Sequence, residues 1–255
     1  MLRLPQFLLL ALLLSNTNLP ASTELAAEYI SKGNTAYRNF DNSTALKHYE
    51  KALALDSLNY EAAWKLCRAY IDVGEVMENK DARKELYDKA IIYARKAVVL
   101  DSMDALGHLF LSISLGRKAL DAGAKERVKL AKEIRKSVEA SIAIDSTNHI
   151  SWHMLGRWHR KVATLSWIER NFANIFLGGA PKDASLETAV TCFQKAIELF
   201  PNGTNHHLQL GITYEKMKQK ELAIAEYELV LTLPKTESDH EIHLKEAKER
   251  LKELK

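Results

Sequence analysis

Residues 149–170, HISWHMLGRWHRKVATLSWIER, gather three histidines, several tryptophans and a basic cluster. His149 and His153 stand four apart, which on a helix puts both imidazoles on one face at a spacing that suits a metal ion. No glutamate follows His149 directly, so the pattern is not the HExxH of zinc proteases. His153 adjoins Trp152, and His159 stands where Tyr70 and Tyr214 stand in two similar segments, so these residues read as parts of a repeated helix. A metal site is therefore not expected. The chain also lacks a glycine-rich phosphate loop, a G-x-S-x-G turn and a distinctive carboxylate pair. Its acidic residues mostly stand at helical intervals beside Lys or Arg, as on solvated faces. No catalytic residue, cofactor or enzymatic activity is expected.

The elements that carry these residues are helical. Glycine and proline number 10 and 5 in 255 residues, sparse for a turn-rich β protein, and Leu, Ala, Lys and Glu dominate. Apolar residues at 47% and charged residues at 27% allow a globular core. The 36 basic and 33 acidic side chains nearly cancel, which argues against a nucleic-acid partner. At the N-terminus, Arg3, the apolar run from Phe7 to Leu14 and the small residues Ala21 and Ser22 predict an export signal over residues 1–21. The run is far shorter than the ~20 residues of a spanning helix. Removal near Ala21 and a periplasmic or secreted destination are expected, with an uncleaved N-terminal anchor as the alternative. Cys67 and Cys192 are the only cysteines and read as buried small apolar residues, not a disulfide framework.

The chain repeats itself. LDSLN at 55–59, LDSMD at 100–104 and IDSTN at 144–148 resemble one another, with LFPNG at 199–203 in the place of a fourth copy. Each follows an apolar helical stretch and precedes another: AAWKLCRAY, GHLFLSISL, SWHMLGRWH and HHLQLGITY. Asp56, Asp101 and Asp145 are expected to cap the helices that follow, with Pro201 in a first helical turn. Small residues at Cys67, Ser112, Gly156 and Gly211 predict close helix crossings opposite Ala45, Ala90, Ala189 and Ala223. Large ones at Tyr49, Tyr70, Trp152, Phe193 and Tyr214 are expected between neighbouring pairs.

Leu210, Gly211, Tyr214, Ala223, Tyr227 and Pro234 resemble the tetratricopeptide repeat, whose units span about 34 residues. The resemblance implies an all-α protein, an α-solenoid of about five helix pairs over 24–58, 60–103, 105–147, 149–202 and 204–235, within a repeat domain at 22–255. A polar helix at 237–254, with Ile242, Ala247, Leu251 and Leu254 on one side, would cap it. Extra residues at 76–86, 122–128 and 162–185 fall between the helices of a pair.

The fourth unit resembles the regulator of microtubule dynamics family through Leu155, Gly156, Arg157 and Trp158, then the insertion residues Ser166, Trp167, Ile168, Glu169 and Arg170, with Gly178, Pro181, Phe193, Lys195 and Ala196 beyond. The likeness runs over roughly 24–233 and implies microtubule association for some eukaryotic members. It also implies a concave surface lined by the first helices of successive pairs. Helical spacing then points Asn34, Arg38, Trp64, Arg68, Leu109, Ile113, Arg117, His153, Arg157, Arg160 and Lys161 outward. So cationic a groove suits an extended acidic peptide of a partner protein. The equally open alternative is that these long chains merely solvate it. In 167–177, Trp167, Ile168, Phe172, Ile175 and Phe176 share one helical face. The segment is either a core-packing arm or a flap that touches a partner or a membrane.

Overall fold

The computed structural model describes residues 21–176, 179, 181, 183–236 and 239–255. The export-signal stretch apart from Ala21 lies outside the described residues, as do Leu177 and Gly178. The described elements are helices: α1 (Ala21–Arg38), α2 (Asn42–Leu55), α3 (Tyr60–Glu75), α4 (Lys80–Leu100), α5 (Ala105–Asp121), α6 (Ala124–Ile144), α7 (His149–Ala163), α8 (Trp167–Phe176), α9 (Leu186–Leu199), α10 (Thr204–Lys216), α11 (Lys220–Val230) and α12 (His240–Leu254). They pack as the pairs α1/α2, α3/α4, α5/α6, α7/α9 and α10/α11, with α12 against α10 and α11 and α8 leaning on α6. The extra residues of the second and third units are spent on long second helices, α4 and α6, each of 21 residues. In the fourth they form α8.

Helix starts lie three residues later than the repeated aspartates suggest. Asn59, Asp104 and Asn148 are the caps, each side chain accepting a backbone N–H from the first turn. Asp56, Asp101 and Asp145 instead end the preceding helices and accept from the N–H two residues on, at 3.2, 2.9 and 2.9 Å. Such Asx turns fix the tight link between one pair and the next. Pro201 sits in the corresponding turn, ahead of a helix that begins at Thr204.

Large-on-small packing holds, but within pairs. A Cβ added at Gly33 would lie 2.5 Å from the Tyr49 ring, one at Gly156 3.0 Å from Phe193, and one at Gly211 2.5 Å from Tyr227. Each of these three first helices thus carries a glycine notch that receives an aromatic ring from its own partner helix. Tyr49 and Phe193 therefore do not fill gaps between neighbouring pairs. One apolar cluster runs from Ile30 in α1 to Trp158 and Val162 in α7, and a separate one joins α10, α11 and α12 through Leu208, Tyr227, Ala247 and Leu251. On α12, His243 is buried where Ile242 was expected, and Ile242 faces solvent. Cys67 and Cys192 are free and buried.

The seam between the fourth and fifth pairs is partly polar. Arg160 donates to the Gln209 carbonyl at 2.7 Å and to Thr213 Oγ1 at 3.3 Å, and its guanidinium also meets the Gln209 side chain. The stack curves strongly enough that Lys235 Nζ, just beyond α11, lies 5.3 Å from the ring centroid of Phe40 in the α1–α2 turn.

Candidate functional site: the concave channel

Curvature encloses a cavity of about 780 Å³ whose wall draws on residues from Tyr37 near the start of the array to Asp239 at its end. Apolar patches come from Ile71, Phe110, Ile113 and Met154. Phe40 stands at its wall with φ +59°, a left-handed conformation that is unusual for an aromatic residue. A smaller neighbouring cavity of about 330 Å³ shares Glu75, Arg117, Arg157, Asn205 and Asp239.

Of the residues assigned to the groove by helical spacing, Arg38, Arg68, Ile113, Arg117, His153, Arg157 and Lys161 line the channel. The others do not. Leu109 is fully buried in a cluster with Val138 and Met154. Arg160 is buried and turned to α10, as above. Asn34 accepts from Tyr49 Oη at 2.9 Å and Lys65 Nζ at 2.7 Å, which fixes the α1–α3 contact. Trp64 stacks on Phe110, centroids 5.4 Å apart, so it supports the wall from behind. Helical phase within one helix does not show which of its outward side chains a neighbouring helix covers.

The cations are not equivalent. Arg68 lies over the Tyr37 ring, 3.5 Å from its centroid, and Arg117 is ion-paired to Glu75. Arg157 has neither a hydrogen bond nor an ion pair among the described residues. Burial, then the nearby charges of Arg117 and Arg160, pull its pKa down to about 9, while Glu75 and Glu246 act the other way. The guanidinium stays protonated at neutral pH, so the channel wall holds a positive charge with no direct ion-pair partner.

Opposite sign is present too, and spacing alone did not reveal it. Asp72 lies one turn beyond Arg68 on α3, a signal visible in the sequence. Its Oδ2 is buried without a partner, and burial together with Glu75 pushes its pKa up to about 7, against the pull of Arg68 and Arg117. Asn205 Oδ1 is also buried and unpartnered beside both cavities.

The histidines form a relay, not a chelate. His206, from α10, sits between the two residues of α7: its Nε2 is 2.8 Å from His149 Nδ1 and its Nδ1 is 2.9 Å from His153 Nδ1. Using both ring nitrogens this way leaves no lone pair on His206 for a metal. Neutral His206 donates through one nitrogen and accepts through the other. Burial, then the charges of His149, His207 and His243, lower its pKa to about 3, and burial drives His153 well below its ordinary value with His206, Arg157 and Arg160 adding to it.

These shifts give a pH prediction. His206 binds its proton less readily folded than unfolded, so its contribution to stability is present above about pH 6.5 and is lost as pH falls. Asp72 binds its proton more readily folded than unfolded, so its contribution is present at low pH and is lost as pH rises through about 7. Between pH 7 and 5 the two oppose each other, each by about 2 kcal/mol. Relative to the unsubstituted chain, His206→Gln should gain about 2 kcal/mol on acidification from pH 7 to 5, and Asp72→Asn should lose about as much. Urea unfolding at the two pH values measures both, and parallel curves for all three proteins would contradict the assignments.

The insertion is anchored at its start by a reciprocal cap. Glu169 Oε2 accepts from the Ser166 N–H at 2.9 Å and from its hydroxyl at 2.7 Å, while Ser166 Oγ accepts from the Glu169 N–H at 3.3 Å. Glu169 also pairs with Arg127 on α6 at 3.0 Å and faces the channel. Trp167, Ile168 and Arg170 point to solvent. The core-packing arm is thus corrected: Trp167, Ile168, Ile175 and Phe176 are turned away from the array, Phe172 is half-buried, and the fully buried positions are Glu169 and Ala173.

Known proteins share both shape and sequence with this chain. A tetratricopeptide-repeat protein of Thermus thermophilus superposes with a TM-score of 0.64 over 87% of this chain and 98% of its own, at 16% identity. Pseudomonas aeruginosa pilF gives 0.54 over 92% and 89%, at 15% identity. At such identities the likeness concerns the fold alone. Regulator of microtubule dynamics protein 1 of Bos taurus is 27% identical over 199 residues, 77% of this chain and 60% of its own length. The Homo sapiens protein of that name is 28% identical over 162 residues, 63% and 51%. The chain thus spans between about half and three fifths of these relatives. The sequence pattern described as regulator of microtubule dynamics protein 1-3 matches residues 29–255. With that match over nearly the whole described array, the chain belongs to the regulator of microtubule dynamics family, on a tetratricopeptide-like fold.

Proposed function

We propose that the chain is a non-catalytic scaffold whose concave channel captures an extended acidic segment of a partner protein. The reading is carried by Arg157, a cation in the channel wall without a carboxylate of its own. A half-buried charge left without an ion pair is costly, and an incoming carboxylate would offset that cost. Arg68, stacked on Tyr37, and Lys161 also line the channel. The apolar surface of Ile71, Phe110, Ile113 and Met154 would take the alternate side chains of an extended strand.

Calorimetry of the full chain with a synthetic peptide alternating Glu and Leu, against its Gln/Leu counterpart, tests this. The acidic peptide should bind at least about tenfold more tightly, and the difference should shrink as salt rises from about 0.05 to 0.5 M. Equal affinities for the two peptides would reject it. The names of the relatives favour a second reading, regulation of microtubules. Co-sedimentation with polymerised tubulin tests that reading, and full retention in the supernatant sets it aside.

A further inference from the structure

α8 carries its apolar residues on the wrong side for a repeat helix. Trp167, Ile168, Ile175 and Phe176 are 76%, 64%, 72% and 65% exposed, while the buried positions are Glu169 and Ala173. Phe172 and Phe176 stack on each other, centroids 4.9 Å apart, and extend the same face. So large an exposed apolar helix face marks a surface that something covers. The helix is nonetheless held firmly from behind by its reciprocal Ser166–Glu169 cap and the Arg127 ion pair, so this face is presented, not frayed.

Its charge surroundings select the occupant. The single acid of α8, Glu169, is buried and neutralised by Arg127. Arg170 is exposed on the helix, Lys125 of α6 stands 5.9 Å from the Phe172 ring centroid, and Lys129 is exposed one turn further along α6. Among the described residues none of the three has an ion pair, whereas the neighbouring acid Glu126 lies 3.8 Å from Lys118. An aromatic and aliphatic face with Asn171 and Asn174 at its edge, uncommitted cations beside it and a tryptophan whose indole N–H suits the headgroup level is what an anionic bilayer interface accepts. No described helix is long and apolar enough to cross a membrane, so α8 would lie in the interfacial plane.

We propose that α8 docks the array on anionic lipid surfaces, Trp167, Ile168, Ile175 and Phe176 entering the headgroup–acyl boundary while Arg170 and Lys125 meet lipid phosphates. This is independent of what the channel binds.

Vesicle sedimentation of the full chain tests it, comparing phosphatidylcholine alone with phosphatidylcholine containing about 30% phosphatidylserine. Because residues 1–20 are common to both proteins, the comparison is between the unsubstituted chain and Trp167→Glu/Ile175→Glu, whose sites are exposed and outside the core. The partition coefficient on anionic vesicles should drop at least about tenfold in the variant. Tryptophan emission should shift to the blue on anionic vesicles and less on neutral ones. Residues 1–20 contain no tryptophan, so the shift reports the array, and Trp167→Phe should abolish it while keeping most of the binding. Unchanged partitioning of the double variant, or equal shifts on both vesicle compositions, would overturn the proposal. So would a dimer in solution that dissociates in the double variant, since the face would then be covered by a second copy.

Discussion

Replacing Tyr227 with alanine is expected to remove about 4 kcal/mol of stability. The ring is fully buried and seated in the Gly211 notch, where no side chain can follow it to refill the space. Its hydroxyl donates to Glu215, which also accepts from Arg250 Nη1 at 2.7 Å, so one side chain ties α10, α11 and α12 together. Truncation would leave both a cavity and a carboxylate short of one donor. In a stacked array each pair is stabilised by its neighbours, so the loss should concentrate in the last three helices. Urea unfolding should become biphasic, with hydrogen exchange accelerating in 204–254 and barely changing in α1–α4. Tyr227→Phe keeps the ring and should cost only about 1 kcal/mol. A uniform loss of protection along the chain would show that the terminal cluster is not a separate cooperative unit.

The second large effect separates two arginines only three residues apart. Arg157→Met should weaken acidic-peptide binding by at least about tenfold and raise stability by about 1 kcal/mol, because it deletes a partly buried cation that the resting protein does not pair. Arg160→Met should do the reverse, costing about 3 kcal/mol by orphaning the Gln209 and Thr213 acceptors across the α7–α10 seam. Its peptide affinity per folded molecule should hardly move. Thermal melts and calorimetry on both variants read the two quantities separately. A destabilised Arg157→Met protein would mean that this guanidinium is structural like its neighbour.

What the sequence made legible follows from local rules. The repeat spacing, the small residues at the helix crossings and the helix-forming composition all act within one pair, so the pairs and their order could be read directly, whereas the aromatic rings that fill the glycine notches were expected between pairs. Cap placement was misread because aspartate can end one helix as well as begin another, and only the backbone turn decides between them. The channel required long-range geometry. Lys235 meets Phe40 through the accumulated curvature of the stack, and His206 meets His153 across the seam between two neighbouring pairs; no single-helix projection contains either contact. Arg157 and Arg160 look alike in sequence, yet one lines the channel and the other is bonded to α10. For α8, periodicity identified the apolar face but not its direction. That direction is fixed by Ser166, Glu169 and Arg127, three polar residues that hold the opposite side.

Calorimetric titration of the unsubstituted chain and of Arg157→Met, each with the Glu/Leu peptide and with its Gln/Leu counterpart, tests the account of the channel most directly. The preference for the acidic peptide should be at least about tenfold in the first protein and close to unity in the second. An undiminished preference in Arg157→Met, with the fold intact, would contradict the assignment of that cation as the anchor of the site.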